Sequence, residues 1–598
     1  MSFVRARSAR FTSRALTRGS TFSCLALYTV WDMMASQQGP FRLEEEVLGA
    51  LPVVDHFCSR LGLARLLDEY VPLADRRVRL ALAKAIGVVV RNLALSHQPL
   101  YSMHEWAARF DAATLGLDGG EVRLINDDRI GRGLERLFDA DRSSLLSRLV
   151  LDAVGSFGID CTEMHNDSTS VRLTGAYPLA TGAPRGGKPT AVAARGHSKD
   201  FRPDLKQLVW ILTVSADGAV PIACRVASGN VEDSTTHIET WDGLGALLGR
   251  RDFRYVADCK LATRTNMEHI DRGGGRFVTV LPATRKEDGA FRRHLVDHDV
   301  TWTEALRRPA RRLGEPDDIY STTEAPWPSG EGFRVIWVRS SHKVERDADA
   351  RTNRVASGIA ALDELNQKLA SNRCRIKTRV AVEEAAGEAV ASVGASRWVG
   401  FRVEEYQEVR HRQETRGRPG ANTRYRQISR TKHRIHLDVH EHTISDDARS
   451  DGCWPLITNE KDTDPADILA AYKHQPSLER RHHQLKGEQL VAPMFLHDPA
   501  RIEGLMTCHF IALLVHALVE LEVRRAMVAR NMNKIPLYPE HRDCSSPSAA
   551  RIFEIFGGLA RRHLMDTNGQ VVQTFPPELT ELQVVLLDLL GVPEASYR

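Results

Sequence analysis

The chain has 598 residues, more than one compact core accommodates; at about 150 residues per unit it divides into roughly four. Hydrophobic residues make up 42% and charged residues 26%, which excludes wholesale disorder. Lys and Arg number 81 against 77 Asp and Glu, a net charge of +4, so a nucleic-acid partner has to meet clustered rather than general positive charge.

The nine cysteines form no Cys-x-x-Cys pair, which argues against a disulfide framework or zinc ribbon and for a reducing compartment. The first 40 residues carry Arg5, Arg7, Arg10, Arg14 and Arg18 against the single acid Asp32. That bias matches an organelle transit peptide, or a coding start that lies at Met33 or Met34. The leader 1–40 is set aside from the fold.

Residues 41–156 read as a helical domain, DNA-binding or simply packing. Val78 to Leu95 is apolar with Arg79 and Arg91, and Asn126 and Asp127 cap a run of Ile130, Leu134 and Leu137. From 157 to 283 short strands are expected at 158–165, 190–195, 208–214, 222–226, 253–257 and 276–281, with a helix over 235–248. Strands, a crossover helix and strands again predict an α/β layer with a mixed sheet.

Residues 284–450 break that pattern and read as a basic, mostly β insertion. Arg285, Lys286, Arg292, Arg293, Arg307, Arg308, Arg311 and Arg312 crowd its start. Strands are expected at 334–338, 398–403 and 435–439, and helical spacing at 359–369. The stretch 410–434 holds nine basic residues, Arg416, Arg418, Arg424 and Arg426 among them, against the single acid Glu414. Residues 451–530 resume with a strand at 454–458, a long helix from Pro465 to about Gln489, and an apolar helix over 505–521. That last helix includes His509, His516 and Glu520 and is shorter than the ~20 apolar residues of a membrane span, so it is expected to be buried and no membrane is implied. The tail 531–598 gives no clear signal.

Three acids stand out by context. Asp167 follows the strand at 158–165, Asp258 ends the strand at 253–257, and Glu479 sits in the helix from Pro465. Strand-end carboxylates of an α/β sheet face the ligand crevice, and three hard oxygen donors suit Mg²⁺ or Mn²⁺. Among 77 acids that selection alone is weak. The helix adds a pattern: Tyr472, Gln475, Glu479 and Lys486 recur at 3, 4 and 7 residues, one stripe of a helix, with Pro476 as an interruption.

The pattern Tyr472, Gln475, Glu479 and Lys486 resembles the signature of DDE transposases of the IS-four superfamily of insertion sequences, with Gln475 where that family has arginine. Further segments resemble its IS-sixteen-thirty-four branch: Gly196 to Asp200, Arg202 to Gln207, Gly229-Asn230 with Asp233, Ala257 to Ala262, Asp451-Gly452 with Thr458-Asn459, and Pro493 to Leu496. The resemblance covers roughly residues 50–520. It implies a ribonuclease-H-like core interrupted by the insertion, with C-terminal helices, and a catalytic and metal-binding triad of Asp167, Asp258 and Glu479 holding two Mg²⁺, replaceable by Mn²⁺.

The implied activity is cut-and-paste DNA transposition: strand cleavage at the element's terminal inverted repeats, a hairpin intermediate, and strand transfer into target DNA, by a homodimer on double-stranded DNA in the bacterial cytoplasm at the nucleoid. Tyr472, Gln475, Lys486, Arg416, Arg418, Arg424 and Arg426 are the expected DNA contacts. Lys199, Arg202 and Lys206 are further candidates, and Trp302, Trp327, Trp337 and Trp398 are possible platforms for an unstacked base. His165 is expected to be structural, and His482 and His483 surface residues. The alternatives are a ribonuclease-H-fold nuclease without strand transfer and a catalytically inactive, transposase-derived DNA-binding protein.

Overall fold

The computed structural model describes residues 41–598 except 73–77, 311, 313 and 372; the leader 1–40 and Arg311 lie outside the described residues. The described residues open not in a helix but in a strand, β1 (Phe41–Val47), paired antiparallel with β15 (Ala560–Asp566). Its partner lies at the far end of the sequence, so local periodicity carries no sign of it. Helices α1 (Leu51–Arg60), α2 (Leu63–Tyr70), α3 (Leu82–Leu95), α4 (Asp127–Asp139) and α5 (Arg142–Phe157) follow. The Asn126 side chain accepts from the Arg129 N–H and caps α4, satisfying a donor that the first turn otherwise leaves bare. Arg91, buried in α3, donates to Asp55 of α1 at 2.5 Å.

The centre of the molecule is a nine-stranded sheet in the order β4-β3-β2-β5-β6-β12-β9-β8-β7. Its strands are β2 (Glu163–Leu173), β3 (Lys206–Ser215), β4 (Pro221–Ser228), β5 (Arg254–Ala257), β6 (Arg276–Val280), β7 (Thr303–Arg308), β8 (Asp318–Glu324), β9 (Arg334–Ser340) and β12 (Cys453–Thr458). β2, β3 and β4 form an antiparallel meander, and β5 and β6 continue parallel to β2. The crossover helices α6 (His237–Leu248) and α7 (Arg264–Arg272) supply the long connections that parallel strands require. Residues 190–195 do not form a strand; only an isolated bridge, Ala194 to Gln207, occurs there.

The segment 284–450 differs from the expected single, mostly β insertion. After α8 (Lys286–Asp297), strands β7, β8 and β9 extend the central sheet through β12. Only the remainder stands apart: the 30-residue α9 (Ser341–Ala370), α10 (Arg379–Ser392) and a ribbon of two 15-residue strands, β10 (Val399–Gln413) and β11 (Tyr425–Val439). These share their own apolar cluster, in which Leu362, Leu365, Val382 and Ala386 pack on Val403 and Ile435 at the ribbon's base.

α11 (Glu441–Ala448) leads into β12, and beyond it come α12 (Pro465–Lys473), α13 (Gln475–His483) and α14 (Pro499–Ala529). α14 is long and apolar enough to cross a membrane, yet its apolar window is wholly buried. It lies in the main core with α3 and α4, and Gly504 permits that approach, since a Cβ there would stand 2.3 Å from the Leu134 carbonyl oxygen. The tail, silent in sequence, is ordered into the paired β13 (Ile535–Tyr538) and β14 (Arg542–Cys544), then α15 (Ala549–Phe556), β15, β16 (Val571–Phe575) and α16 (Glu581–Leu590).

Candidate active site and nucleic-acid surface

Alternation along the strands decides which acids meet. Parallel register sets His165 beside Val256, and Val256 packs in a cluster with Ile468 and Leu469 of α12. Residues two apart share a sheet face, so Glu163, His165 and Asp167 of β2 point toward α12 and α13, as do Arg254 and Val256 of β5, with Asp258 one step further along. Asp167 lies inside β2 rather than after its end. The strand runs on to Leu173 because Ser168 to Leu173 stay in register with β3.

The expected long helix breaks at His474, and Pro476 falls in the first turn of α13, where its missing N–H is harmless. A π-turn over Gln484–Glu488 follows, so Tyr472, Gln475, Glu479 and Lys486 do not lie on one continuous helical stripe. Arg481 fixes α13. It is 1% exposed and donates to Glu520 of α14 at 2.9 Å, to Gln484 at 2.7 Å, and to the Gly218 and Ala219 carbonyls at 2.9 and 2.8 Å. With Arg481 and Leu478 buried, Glu479 is left exposed.

Asp167 lies on, and Asp258 at the end of, neighbouring parallel strands, and α13, which carries Glu479, packs on the same face with its His482 Nδ1 3.6 Å from Asp167. The Tyr472 phenol, packed on Trp454, is pushed well above its ordinary value by burial and by the carboxylates of Asp258, Glu479 and Asp167. Asp258 is itself raised, first by burial and then by Asp167 and Asp233, against the Lys260 N–H that donates to it at 3.0 Å.

Two residues complete the cluster. Lys199 Nζ lies 3.2 Å from Asp167 and 3.3 Å from Asp233, and donates to the Ser168 carbonyl at 2.6 Å and its hydroxyl at 2.8 Å. Burial opposes the ammonium's charge, but Asp167, Asp233 and Asp258 outweigh it and hold the pKa above the usual lysine value. The loop that delivers Lys199 depends on two glycines. A Cβ on Gly196 would meet the Gly229 carbonyl oxygen at 2.1 Å, and one on Gly229 the Gln207 oxygen at 2.0 Å. Gln207 ties the knot by donating to the His197 and Gly229 carbonyls. Lys486 reaches the same loop, donating to Asp200 at 2.7 Å. In the sequence Asp233 stands as a member of the Gly229-Asn230 motif and at the opening of the helix over 235–248.

His482 corrects an expectation: it is buried rather than on the surface, with Nδ1 3.6 Å from Asp167, and burial lowers its pKa to about 4. His483 is exposed. Gln475 opens α13, partly buried. Of the tryptophans, Trp337 is buried in a stack on Phe291, Trp398 is buried and bonded to Asp447, Trp302 is partly buried, and Trp327 is 37% exposed.

The basic stretch 410–434 forms the outer half of the β10–β11 ribbon. Arg416 and Arg418 occupy its tip, while Arg424 and Arg426 lie at the start of the return strand, all exposed. The register sorts the ribbon into two faces. Arg412 with Arg426, Glu408 with Arg430, Tyr406 with Lys432 and Glu404 with Arg434 share one; His411 with Gln427, Val409 with Ser429 and Gln407 with Thr431 share the other.

A family model described as a domain of unknown function (DUF4277) matches residues 43–151. Among solved structures, the chain is similar at 9% identity and a TM-score of 0.25 to a piggyBac transposase synaptic complex with hairpin DNA; the match spans 48% of this chain and 56% of that one. No curated protein matches the chain.

Proposed function

We propose that this chain is a DDE transposase of the IS-four superfamily, of the IS-sixteen-thirty-four type, which cuts DNA at the ends of an insertion sequence and joins them to a target. The observation that carries this reading is the placement of Asp167 and Asp258 on neighbouring parallel strands beneath the helix that carries Glu479, whose His482 lies 3.6 Å from Asp167. Three antiparallel strands followed by two parallel ones, with the first acid on the first strand and the second after the fourth, support a ribonuclease-H-like core.

The donor set fits a hard divalent cation, because Asp167, Asp233 and Asp258 offer only oxygen and already gather around an ammonium. Asp167, Asp258 and Glu479, with Asp233 beside them, would hold Mg²⁺ or Mn²⁺. Such ions supply Lewis acidity that activates water and steadies the leaving oxygen of a phosphodiester. Tyr472, kept protonated, offers a hydrogen bond to a phosphate, and the Gln475 amide another without charge. Lys486 and Lys199 flank the acids with positive charge for the backbone. The cationic face of the ribbon, with Arg416 and Arg418 at its tip, tracks phosphates further along the duplex. A homodimer on paired terminal repeats would let both ends be cut together.

The test is cleavage and joining of DNA carrying the element's own ends, in Mg²⁺ or Mn²⁺, by the wild type, Asp258→Ala and Glu479→Ala. Metal-dependent cutting and joining that both variants lose while still binding DNA is expected. Cutting without joining would favour a nuclease, and binding without cutting an inactive DNA-binding descendant. Variants as active as wild type would remove these residues from the site.

A further inference from the structure

A second cluster lies on the same face of β2, one step before Asp167, and its chemistry differs. His165 Nε2 is 3.0 Å from Glu163 Oε1, and His474 Nδ1 is 3.7 Å from that oxygen. The three donor atoms all lie within 4.8 Å of one another. Bonds of about 2.0–2.1 Å in a tetrahedral zinc site place donor atoms roughly 3.3–3.5 Å apart, so small side-chain adjustments bring all three within reach of one ion.

The surroundings are built for such a role. The second oxygen of Glu163 accepts from Arg254 at 2.9 Å, and Arg254 is held in turn by both oxygens of Glu460 at 2.5 and 2.7 Å. That pairing orients the carboxylate and leaves Oε1 to the histidines. The His165 ring is 1% exposed, whereas the His474 side chain is 57% exposed, so one ligand is fixed and the other lies on the solvent side where an ion arrives.

We infer that Glu163, His165 and His474 form a site for a borderline transition metal, Zn²⁺ by preference, separate from the all-oxygen cluster at Asp167. Two imidazoles and one carboxylate select Zn²⁺ over Mg²⁺, where the aspartates select the reverse. His474 is the hinge between α12 and α13, so an ion here joins strand β2 to the start of the helix that carries Glu479. It is a structural clamp rather than a participant in the chemistry, and it does not rest on the proposed reaction. His165 Nδ1 has no protein partner among the described residues. The second hydrogen bond that usually steadies a ligating imidazole is therefore missing, which weakens affinity about 10–100-fold relative to a fully supported site.

The experiment uses the full, tag-free chain stripped with chelator, then titrated with Zn²⁺ and, in parallel, with Co²⁺ as a visible-absorbing substitute. One equivalent bound by the wild type and by His483→Ala, an exposed neighbour outside the set, is expected, with a tetrahedral Co²⁺ spectrum undisturbed by millimolar Mg²⁺. His474→Ala and Glu163→Gln should lose at least tenfold in affinity. Because His474 is exposed, its variant should retain the wild-type unfolding transition in the stripped protein. Failure of the wild type to bind Zn²⁺ in the micromolar range, unchanged affinity in His474→Ala, or loss on Asp167→Asn in place of His474→Ala would each overturn the assignment.

Discussion

The acidic face of the central sheet and the β10–β11 ribbon both concentrate charge, but they handle it oppositely. On the sheet face the charges answer one another within the fold: Lys199 sits between Asp167 and Asp233, Lys486 meets Asp200, and Arg481 meets Glu520. On the ribbon, Arg416, Arg418, Arg424 and Arg426 make no ion pair among the described residues, and all are exposed. Burying charge is costly unless it is paired, so the sheet face is constrained by folding, while the ribbon's charge is free for a polyanion. Variants in the first region should therefore alter stability, and variants in the second only binding.

Arg481→Ala is expected to show the largest effect. It leaves Glu520, 0% exposed, with only the Gln484 amide, the Ala549 N–H and the more distant Arg524, and breaking such a buried pair costs up to about 3–5 kcal/mol. Chemical denaturation would measure it, and a loss under about 1 kcal/mol would show that the pair does not anchor α13. Next comes the ribbon. Replacing Arg416, Arg418, Arg424 and Arg426 together by alanine should leave the unfolding midpoint unchanged and weaken duplex binding. The slope of log affinity against log salt should become shallower by roughly one for each phosphate that the variant no longer neutralises. An unchanged salt slope would place the DNA elsewhere and dissolve the contrast between the two regions.

How much of this was legible depended on whether the partners were local. The helix from Pro465, the strand at 454–458 and the strand before Asp258 announce themselves by period and composition, and they carry two of the three candidate acids. The ribbon beyond Val403 and Ile435 did not, because both its faces are solvated. Its alternation is charged against neutral rather than apolar against polar, so hydropathy is silent while β10 runs on to Gln413. The first half of α9 is silent for the same reason, since its buried residues begin at Gly358. Lys199 and Asp233 meet only through the knot of Gly196, Gln207 and Gly229, a long-range event that no window of sequence contains. His482 read as surface because its neighbours are Arg480, Arg481 and His483; the burial of Arg481 on Glu520 is what turns it inward.

A smaller effect tests burial without a partner charge. His509, in the middle of α14, is held at a pKa of about 3 by burial, with the positive character of His97 acting the same way. The unfolded chain takes up this proton near the ordinary histidine value of about 6.5. Below that pH the unfolded state binds more protons, so stability falls as pH drops from about 6.5 toward 3. At pH 5 the loss is roughly 2 kcal/mol from this group. His509→Gln should flatten that part of the stability profile, and an unchanged profile would show that His509 is not the group responsible.

The smallest effect bears most directly on the acidic face. Lys199 stands where Asp167, Asp233 and Asp258 bring negative charge together, and its ammonium does for the folded protein part of what a divalent cation would do. Lys199→Ala leaves those carboxylates to repel one another, so without divalent ions the variant should lose about 1 kcal/mol, which for a chain this long lowers the melting temperature by about 1 °C. Mg²⁺ binding the folded state alone raises stability in proportion to its affinity, and the acids are easier to occupy once the ammonium is gone. Saturating Mg²⁺ should therefore raise the melting temperature of Lys199→Ala more than that of wild type and close the gap between them. A Mg²⁺ increment equal in the two proteins would mean that lysine and cation occupy different ground. The acidic face would then be charge-balanced by Lys199 alone, and the contrast with the ribbon would be one of folding only.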